Sequence, residues 1–133
     1  MDLGEYFGKA EGTGVLATAD DQGRVNLAIY AKPHIMDDET IAFIMADRLT
    51  HHNLQSNDHA AYLFLEKGQG YKGLRIFLSK VREEQDSELL YSLRSKRYAS
   101  EKEEGKPRFL VFFKIDKVLQ LIGTNKDVDP MIP

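Results

Sequence analysis

The amino-acid sequence predicts a mainly β protein, built as a small antiparallel barrel of six or seven strands with short helices. The chain has 133 residues, a length that fits a single domain spanning residues 1–133. Its apolar segments are short and rich in β-branched and aromatic residues. Most are joined by turns of a few residues, which only antiparallel strands allow. These observations favour a barrel over a doubly wound α/β sheet.

The first part of the chain predicts one short helix followed by three strands. Apolar residues recur at helical spacing near the start, and Gly12 and Gly14 then end the helix. Residues 20–23, Asp-Asp-Gln-Gly, predict a hairpin turn, and Pro33 indicates an edge or a bulge in the second strand. The third strand is apolar enough to be buried on both faces. The predicted ranges are a helix over Leu3–Ala10 and strands over Thr13–Ala19, Arg24–Met36 and Thr40–Ala46.

The second part predicts two helices and four further strands. Thr50 is the predicted N-cap of a helix that ends near Ser56, before Asn57 and Asp58. Glu83–Tyr98 is the clearest helix, since acidic residues begin it, basic residues end it, and Leu89, Leu90 and Leu93 form its apolar stripe. The predicted strands are Ala60–Glu66, Tyr71–Arg82 with Leu74, Ile76 and Leu78 on one face, Arg108–Lys114 and Lys117–Gly123, with a charged loop over Ser100–Lys106.

Composition and charge exclude several classes of function. The net charge of −3 argues against a protein whose whole surface is basic enough to bind nucleic acid. The absence of Cys excludes disulfides, thiolate metal sites and cysteine nucleophiles. No apolar run approaches the roughly 18 residues that a membrane helix needs, and the first residues do not resemble a signal peptide. We therefore expect a soluble, cytoplasmic protein with no nucleic-acid or membrane partner.

The common catalytic and metal-binding motifs are missing. His34, His51, His52 and His59 do not stand at ligand spacing, which favours surface or hydrogen-bonding roles over metal. The string Gly68-x-Gly70-x-x-Gly73 precedes a strand rather than a helix, so it fails the context of a dinucleotide site. No serine has a nucleophile-elbow setting. The acidic cluster that begins at Glu83 is interpreted as a solvated helix start.

The junction between the third strand and the following helix carries the clearest chemistry. Arg48, Thr50 and His51 lie there. A helix N-terminus offers N–H groups and partial positive charge to a phosphate, and Arg48 and Thr50 add a cation and a hydroxyl. The alternative is an ordinary strand-to-helix turn that binds nothing. The residues alone leave both interpretations open.

The order of three motifs resembles the pyridoxamine 5′-phosphate oxidase-related, FMN-binding split-barrel family. The first motif is the opening hairpin GVLATADDQGRVNLAIYA over Gly14–Ala31. The second is the strand, turn and helix of Phe43–Thr50, followed by Asn53-Leu54 and by Asn57-Asp58-His59-Ala60-Ala61. The third is the loop and strand of Gly70–Val81, followed by a helix. The resemblance covers about Leu3–Tyr98.

The resemblance implies a split-barrel homodimer that binds FMN at the subunit interface, with these site residues. Ala28, Ile29, Tyr30 and Ala31 would flank the isoalloxazine ring, Met45 and Ala46 would line the flavin edge, Arg48, Leu49 and Thr50 would meet the phosphate, and Asn53 would lie near it. Many members of the family carry Lys or Arg where this chain has Thr50. The C-terminal segment that holds substrate in pyridoxamine phosphate oxidases is not recognisable in this chain.

Two functions follow as expectations. The first is a small FMN-dependent oxidoreductase, in which the flavin carries the redox chemistry without a metal and an unidentified small molecule or electron partner reacts with it. The second is a non-catalytic, cofactor-binding dimer: a carrier, an electron-transfer partner or a cofactor-free module. Tyr30 and Tyr71 are candidates either for a hydrogen bond to substrate or for packing. The apolar strands Val25–Ala31 and Thr40–Ala46 independently predict a dimer, because one thin barrel leaves apolar surface uncovered.

Overall fold

The computed structural model describes residues 2–94 and 105–123. Seven strands form one antiparallel sheet in the order β2-β1-β5-β6-β7-β4-β3, which confirms the predicted mainly β split-barrel class. The elements are α1 (Leu3–Lys9), β1 (Gly12–Ala19), β2 (Val25–Ile29), β3 (His34–Ile35), β4 (Thr40–Ala46), α2 (Leu49–Ser56), β5 (His59–Glu66), β6 (Gly73–Gln85), α3 (Glu88–Leu93) and β7 (Arg108–Gln120).

The predicted long strand Arg24–Met36 is wrong, because the chain divides it into β2 and β3. β2 pairs with β1 at one end of the sheet, and β3 pairs with β4 at the other. Between them, the Tyr62 hydroxyl donates to the carbonyl oxygens of Tyr30 and Ala31 at 3.2 and 3.1 Å. These bonds from β5 hold the chain where it leaves one edge strand and crosses toward the other.

The predicted helix Glu83–Tyr98 is wrong at its beginning. Residues 83–85 belong to β6, where they pair with β7 down to Gln85 opposite Phe109. Asp86 then adopts a positive φ of 48°, and Ser87 caps α3 by accepting a hydrogen bond from Leu90 N–H at 3.1 Å. The ladder to β7 thus overrides the local charge pattern. Residues 95–98 of that helix and 100–104 of the predicted charged loop lie outside the described residues.

The two predicted closing strands are one continuous strand, β7. The sheet accommodates the residues between them, Ile115 and Asp116, through a register shift at Phe77/Leu78, where Asp116 is left out of the pairing with β6. The Ser79 hydroxyl donates to the Asp116 carboxylate at 2.7 Å. A bulge therefore takes the place of the predicted break.

The main core lies inside the barrel and contains side chains from α1, α2 and most of the strands. The predicted inward positions Leu74, Ile76 and Leu78 are all buried, and β4 is buried on both faces as predicted. A smaller cluster lies under α3, where Leu90 contacts residues of β4 and β7 while Leu89 is exposed. Together these cores hold β4 and, through Leu54, α2 in one fixed arrangement.

Candidate functional site

The strand-to-helix turn between β4 and α2 has an open helix N-terminus. β4 ends at Ala46, and Arg48 occupies the N-cap of α2 in an extended conformation, with φ −129° and no side-chain cap hydrogen bond. The sequence predicted Thr50 as the N-cap, and this prediction is wrong. Thr50 lies inside the first turn of α2. That turn contains no acidic residue. The positive end of the α2 dipole is thus left without a carboxylate on its own first turn.

Two buried polar side chains of α2 connect it to the opening hairpin. Thr50 is 5% exposed, and its hydroxyl oxygen accepts a hydrogen bond from the Asn26 amide of β2 at 3.2 Å. The Asn53 amide, which is 3% exposed, donates to the Thr18 hydroxyl of β1 at 3.1 Å. Because buried polar groups need partners, these bonds fix one side of α2 against β1 and β2.

Tyr30 lies beside the same turn. Its ring is half-buried and meets Phe43 edge-on, with centroids 5.9 Å apart. Burial raises the pKa of the Tyr30 hydroxyl above its usual value, although a hydrogen bond with Thr50 and the charge of Arg48 act in the opposite direction. Tyr30 therefore stays protonated near neutral pH and can donate a hydrogen bond. The structure thus brings Tyr30, Arg48 and Thr50 together, and the Asn26 amide bonds Thr50 from β2.

The other residues predicted from the resemblance lie in different environments. Ala28 is half-buried on the same face of β2 as Asn26, whereas Ile29 is 73% exposed on the opposite face and Ala31 is exposed beyond the strand. The Met45 side chain is buried within the main core, and Ala46 is half-buried at the strand end. Leu49 is exposed on the turn. Strand alternation therefore separates the Ile29 side chain from the Ala28 and Tyr30 face.

A buried histidine network lies on the other side of α2, and the sequence did not predict its members together. His51 Nδ1 lies 3.2 Å from an Asp47 carboxylate oxygen, and Nε2 lies 2.9 Å from a Glu83 oxygen. The predicted hydrogen-bonding role of His51 is correct, but Glu83 is not at a solvated helix start. Burial acts to raise the pKa of Glu83, yet hydrogen bonds from His51, Gln55 and Lys80 outweigh it and lower that pKa to about 2. Only the i, i+4 spacing of Asp47 and His51 signals this network in the sequence.

The outer face of β2 carries a row of exposed apolar side chains. Residues directly opposite one another in paired strands share a face, so this row continues across β1 onto β5. Val25, Leu27 and Ile29 are 81, 71 and 73% exposed. We call this surface the apolar face, which comprises Val15, Ala17, Val25, Leu27, Ile29, Ala61 and Leu63.

Neither metal-binding clusters nor membrane-spanning helices occur in the part of the chain that the structure describes. Among those residues, no three His, Cys, Asp or Glu side chains come together to hold a metal ion. None of the described helices is both long and apolar enough to cross a bilayer.

Several solved structures share the fold at low sequence identity. An FMN-binding protein from Syntrophomonas wolfei subsp. wolfei is 20% identical, with a TM-score of 0.72, 90% of this chain covered and 83% of that chain. An FAD-binding protein from Mesorhizobium loti is 18% identical, with a TM-score of 0.58 and coverages of 89 and 90%. The heme storage protein HutZ from Vibrio cholerae is 19% identical, with a TM-score of 0.58 and coverages of 85 and 92%.

The sequence comparison identifies the family. No curated protein matches the chain. The family model described as pyridoxamine 5′-phosphate oxidase, however, matches residues 5–121, which is most of the sequence and includes β2, the α2 turn and β7. The chain therefore belongs to the pyridoxamine 5′-phosphate oxidase family.

Proposed function

We propose that this protein binds FMN, with the phosphate at the N-terminus of α2, and that it acts as a small flavin-dependent oxidoreductase. The observation that carries the proposal is the open N-terminus of α2, which has no side-chain cap and carries Arg48 at the N-cap position and Thr50 in the first turn. A phosphate accepts hydrogen bonds, and the Arg48 guanidinium, the Thr50 hydroxyl and the main-chain N–H groups of this turn can donate them. The residues present therefore fit the phosphate of FMN.

The residues of β2 supply the second part of the proposed site. Asn26 and Ala28 lie on the face of β2 that is turned toward α2, and Tyr30 directly follows the strand, beside the proposed phosphate position. Ala28 leaves room for a flat ring, and Tyr30 offers a hydroxyl that stays protonated. When bound, FMN would supply the electron or hydride transfer, while the chain binds and orients it. The likeness of the fold to that of an FMN-binding protein supports this assignment.

We also propose that the protein forms a homodimer through the apolar face. Large contiguous apolar patches on soluble proteins usually mark interaction sites. A two-fold dimer would place the same surface of a second copy against it, which covers both patches at once. The apolar face and the Asn26–Tyr30 face lie on opposite sides of the same short strand, so β2 would lie between a second copy docked there and the proposed cofactor.

A non-catalytic flavin carrier is the second candidate function. Thr50 brings no charge to the phosphate, and the raised pKa of Tyr30 makes it a poor base near neutral pH. The protein's side chains at the turn can therefore hold a cofactor more readily than they can move protons. Turnover of a reduced nicotinamide by the FMN-loaded protein would support the oxidoreductase, and its absence with several acceptors would favour the carrier.

The proposed phosphate site is tested by comparing FMN with riboflavin, which lacks the phosphate. The parent protein should bind FMN more tightly, measured by fluorescence quenching or calorimetry. Arg48→Ala should weaken FMN binding by about 10- to 150-fold, the range for lost hydrogen bonds to a charged group, and should leave riboflavin binding nearly unchanged. Lys9→Ala is the control, because Lys9 is an exposed residue of α1 paired with Glu5. Equal affinities of the parent for both ligands would contradict the proposal.

A further inference from the structure

Asp47 and His51 bracket the turn proposed to bind phosphate. His51 Nδ1 meets the Asp47 carboxylate at 3.2 Å across one helical turn, so Arg48, Leu49 and Thr50 lie between two residues that are joined by their side chains. The carboxylate of Asp47 is largely exposed, whereas the imidazole is buried. This link closes the first turn of α2 into a small loop of fixed shape.

The same imidazole attaches that turn to the sheet. His51 Nε2 meets a Glu83 oxygen at 2.9 Å, and Glu83 is 32 residues away on β6. The ring also stacks on Phe109 of β7, with centroids 3.8 Å apart and planes inclined by 14°. With both nitrogens facing carboxylates and one ring face against Phe109, the orientation of the side chain is fixed by three contacts, from the β4–α2 turn, β6 and β7.

Glu83 is itself held in place by two further residues. The Gln55 amide donates to one Glu83 oxygen at 3.1 Å and to the His51 carbonyl oxygen at 3.0 Å. The Lys80 ammonium forms an ion pair with Glu83 at 2.9 Å. Glu83 therefore provides a rigid acceptor on the sheet, and hydrogen bonds to charged groups are among the strongest in proteins.

We propose that His51 is a positioning residue for the phosphate turn, which it holds against β6 through Glu83 at the distance that ligand binding needs. The inference rests on the proposed function. On the opposite side, Asn26 and Thr18 bond Thr50 and Asn53, so α2 is attached to the sheet along both flanks. Loss of the His51–Glu83 bond loosens one flank, so that Arg48 and Thr50 are held less firmly at the position that a phosphate needs.

The test measures the ratio of riboflavin to FMN dissociation constants in His51 and Glu83 variants. A substitution that only damages the structure weakens the binding of both ligands and leaves the ratio unchanged. A substitution that displaces the phosphate turn weakens FMN binding more than riboflavin binding and so lowers the ratio. Glu83→Ala should lower it by about tenfold, the equivalent of one hydrogen bond to a charged group. Simple electrostatics predicts the opposite, because removal of a carboxylate near an anion should raise the preference for FMN. Glu84→Ala is the control, since Glu84 is the next residue of β6 and pairs with Arg82.

Two substitutions at His51 separate its hydrogen bonds. The amide of Gln can take the place of Nε2 and keep the bond to Glu83, whereas that of Asn can take only the place of Nδ1. His51→Gln should therefore retain most of the ratio, and His51→Asn should lower it as Glu83→Ala does. His52→Ala, at the exposed neighbouring position, should leave the ratio unchanged.

The outcomes distinguish this inference from the proposed function. If the parent prefers FMN and the ratio is unchanged or higher in folded Glu83→Ala, the positioning role is overturned while the phosphate site stands. If the parent has no preference for FMN, both are overturned. Thermal unfolding shows which variants fold. If His51→Asn fails to fold because His51 is buried, the Glu83→Ala ratio alone decides the test. That variant should fold, since the Glu83 side chain is partly exposed.

Discussion

The apolar face predicts that Leu27→Asp will convert a dimer into monomers. Leu27 lies in the middle of β2 and is 71% exposed in the single chain. Complete burial of a leucine side chain contributes about 1.5–3 kcal/mol, so its exposed part should contribute about 1–2 kcal/mol in each subunit. A two-fold interface contains the residue twice. The dimer dissociation constant should therefore rise about 30- to 700-fold from lost burial alone. A buried, unpaired carboxylate adds to that loss.

The assay is sedimentation or light scattering over a dilution series. The parent should have about twice the 15.2 kDa mass of one chain at micromolar concentration, and Leu27→Asp should have the mass of one chain. Val81→Asp is the control, because Val81 is also exposed on a strand but lies outside the apolar face. A monomeric parent would refute the reasoning. A dimer that tolerates Leu27→Asp as well as Val81→Asp would show that a different surface forms the interface.

Two further predictions concern stability. Gly14→Ala should destabilise the protein by about 1–3 kcal/mol in denaturant unfolding, because a Cβ there would overlap the Tyr62 hydroxyl that holds the chain beyond β2. Gly8→Ala, in α1 with no atom within 4 Å of the added carbon, should be neutral or stabilising, and equal effects would contradict this packing argument. Glu83 has a pKa lowered from 4.5 to about 2 in the folded state, so its contribution is complete above pH 4.5 and is lost as the pH falls toward 2. Glu83→Gln should flatten the stability profile in that window, and an unchanged profile would show that other carboxylates cause the acid dependence.

Local sequence patterns predicted the structure correctly where the burial of a single segment determines the pattern. The alternation of Leu74, Ile76 and Leu78 predicted the buried face of β6, and the apolar run of β4 predicted a strand buried on both faces. Such patterns are set by burial alone, so they can be recognised without knowledge of the neighbouring strands. The strand-to-helix turn after β4 was predicted for the same reason, and phosphate binding at Arg48 and Thr50 stays a prediction.

Local patterns failed where a distant partner decides the outcome. The acidic residues from Glu83 onward are typical of a helix start, yet β7 supplies a ladder that keeps residues 83–85 in a strand. The segment after Ile29 has the composition of a continuing strand, yet the Tyr62 hydroxyl binds its carbonyl groups and the chain leaves the edge. In both cases a hydrogen bond from another strand outweighs local propensity, which is worth at most about 1 kcal/mol per residue.

The sequence by itself determined the antiparallel class, the order of most elements and the strand-to-helix turn after β4. These properties follow from hydrophobic period, turn residues and the chemistry of adjacent side chains, all of which act over short stretches of chain. Only the tertiary structure decided which face of β2 points toward α2, and that His51 reaches Glu83 on β6. Those choices depend on contacts between residues 24 and 32 positions apart, and such contacts form only when the whole sheet has closed around its core.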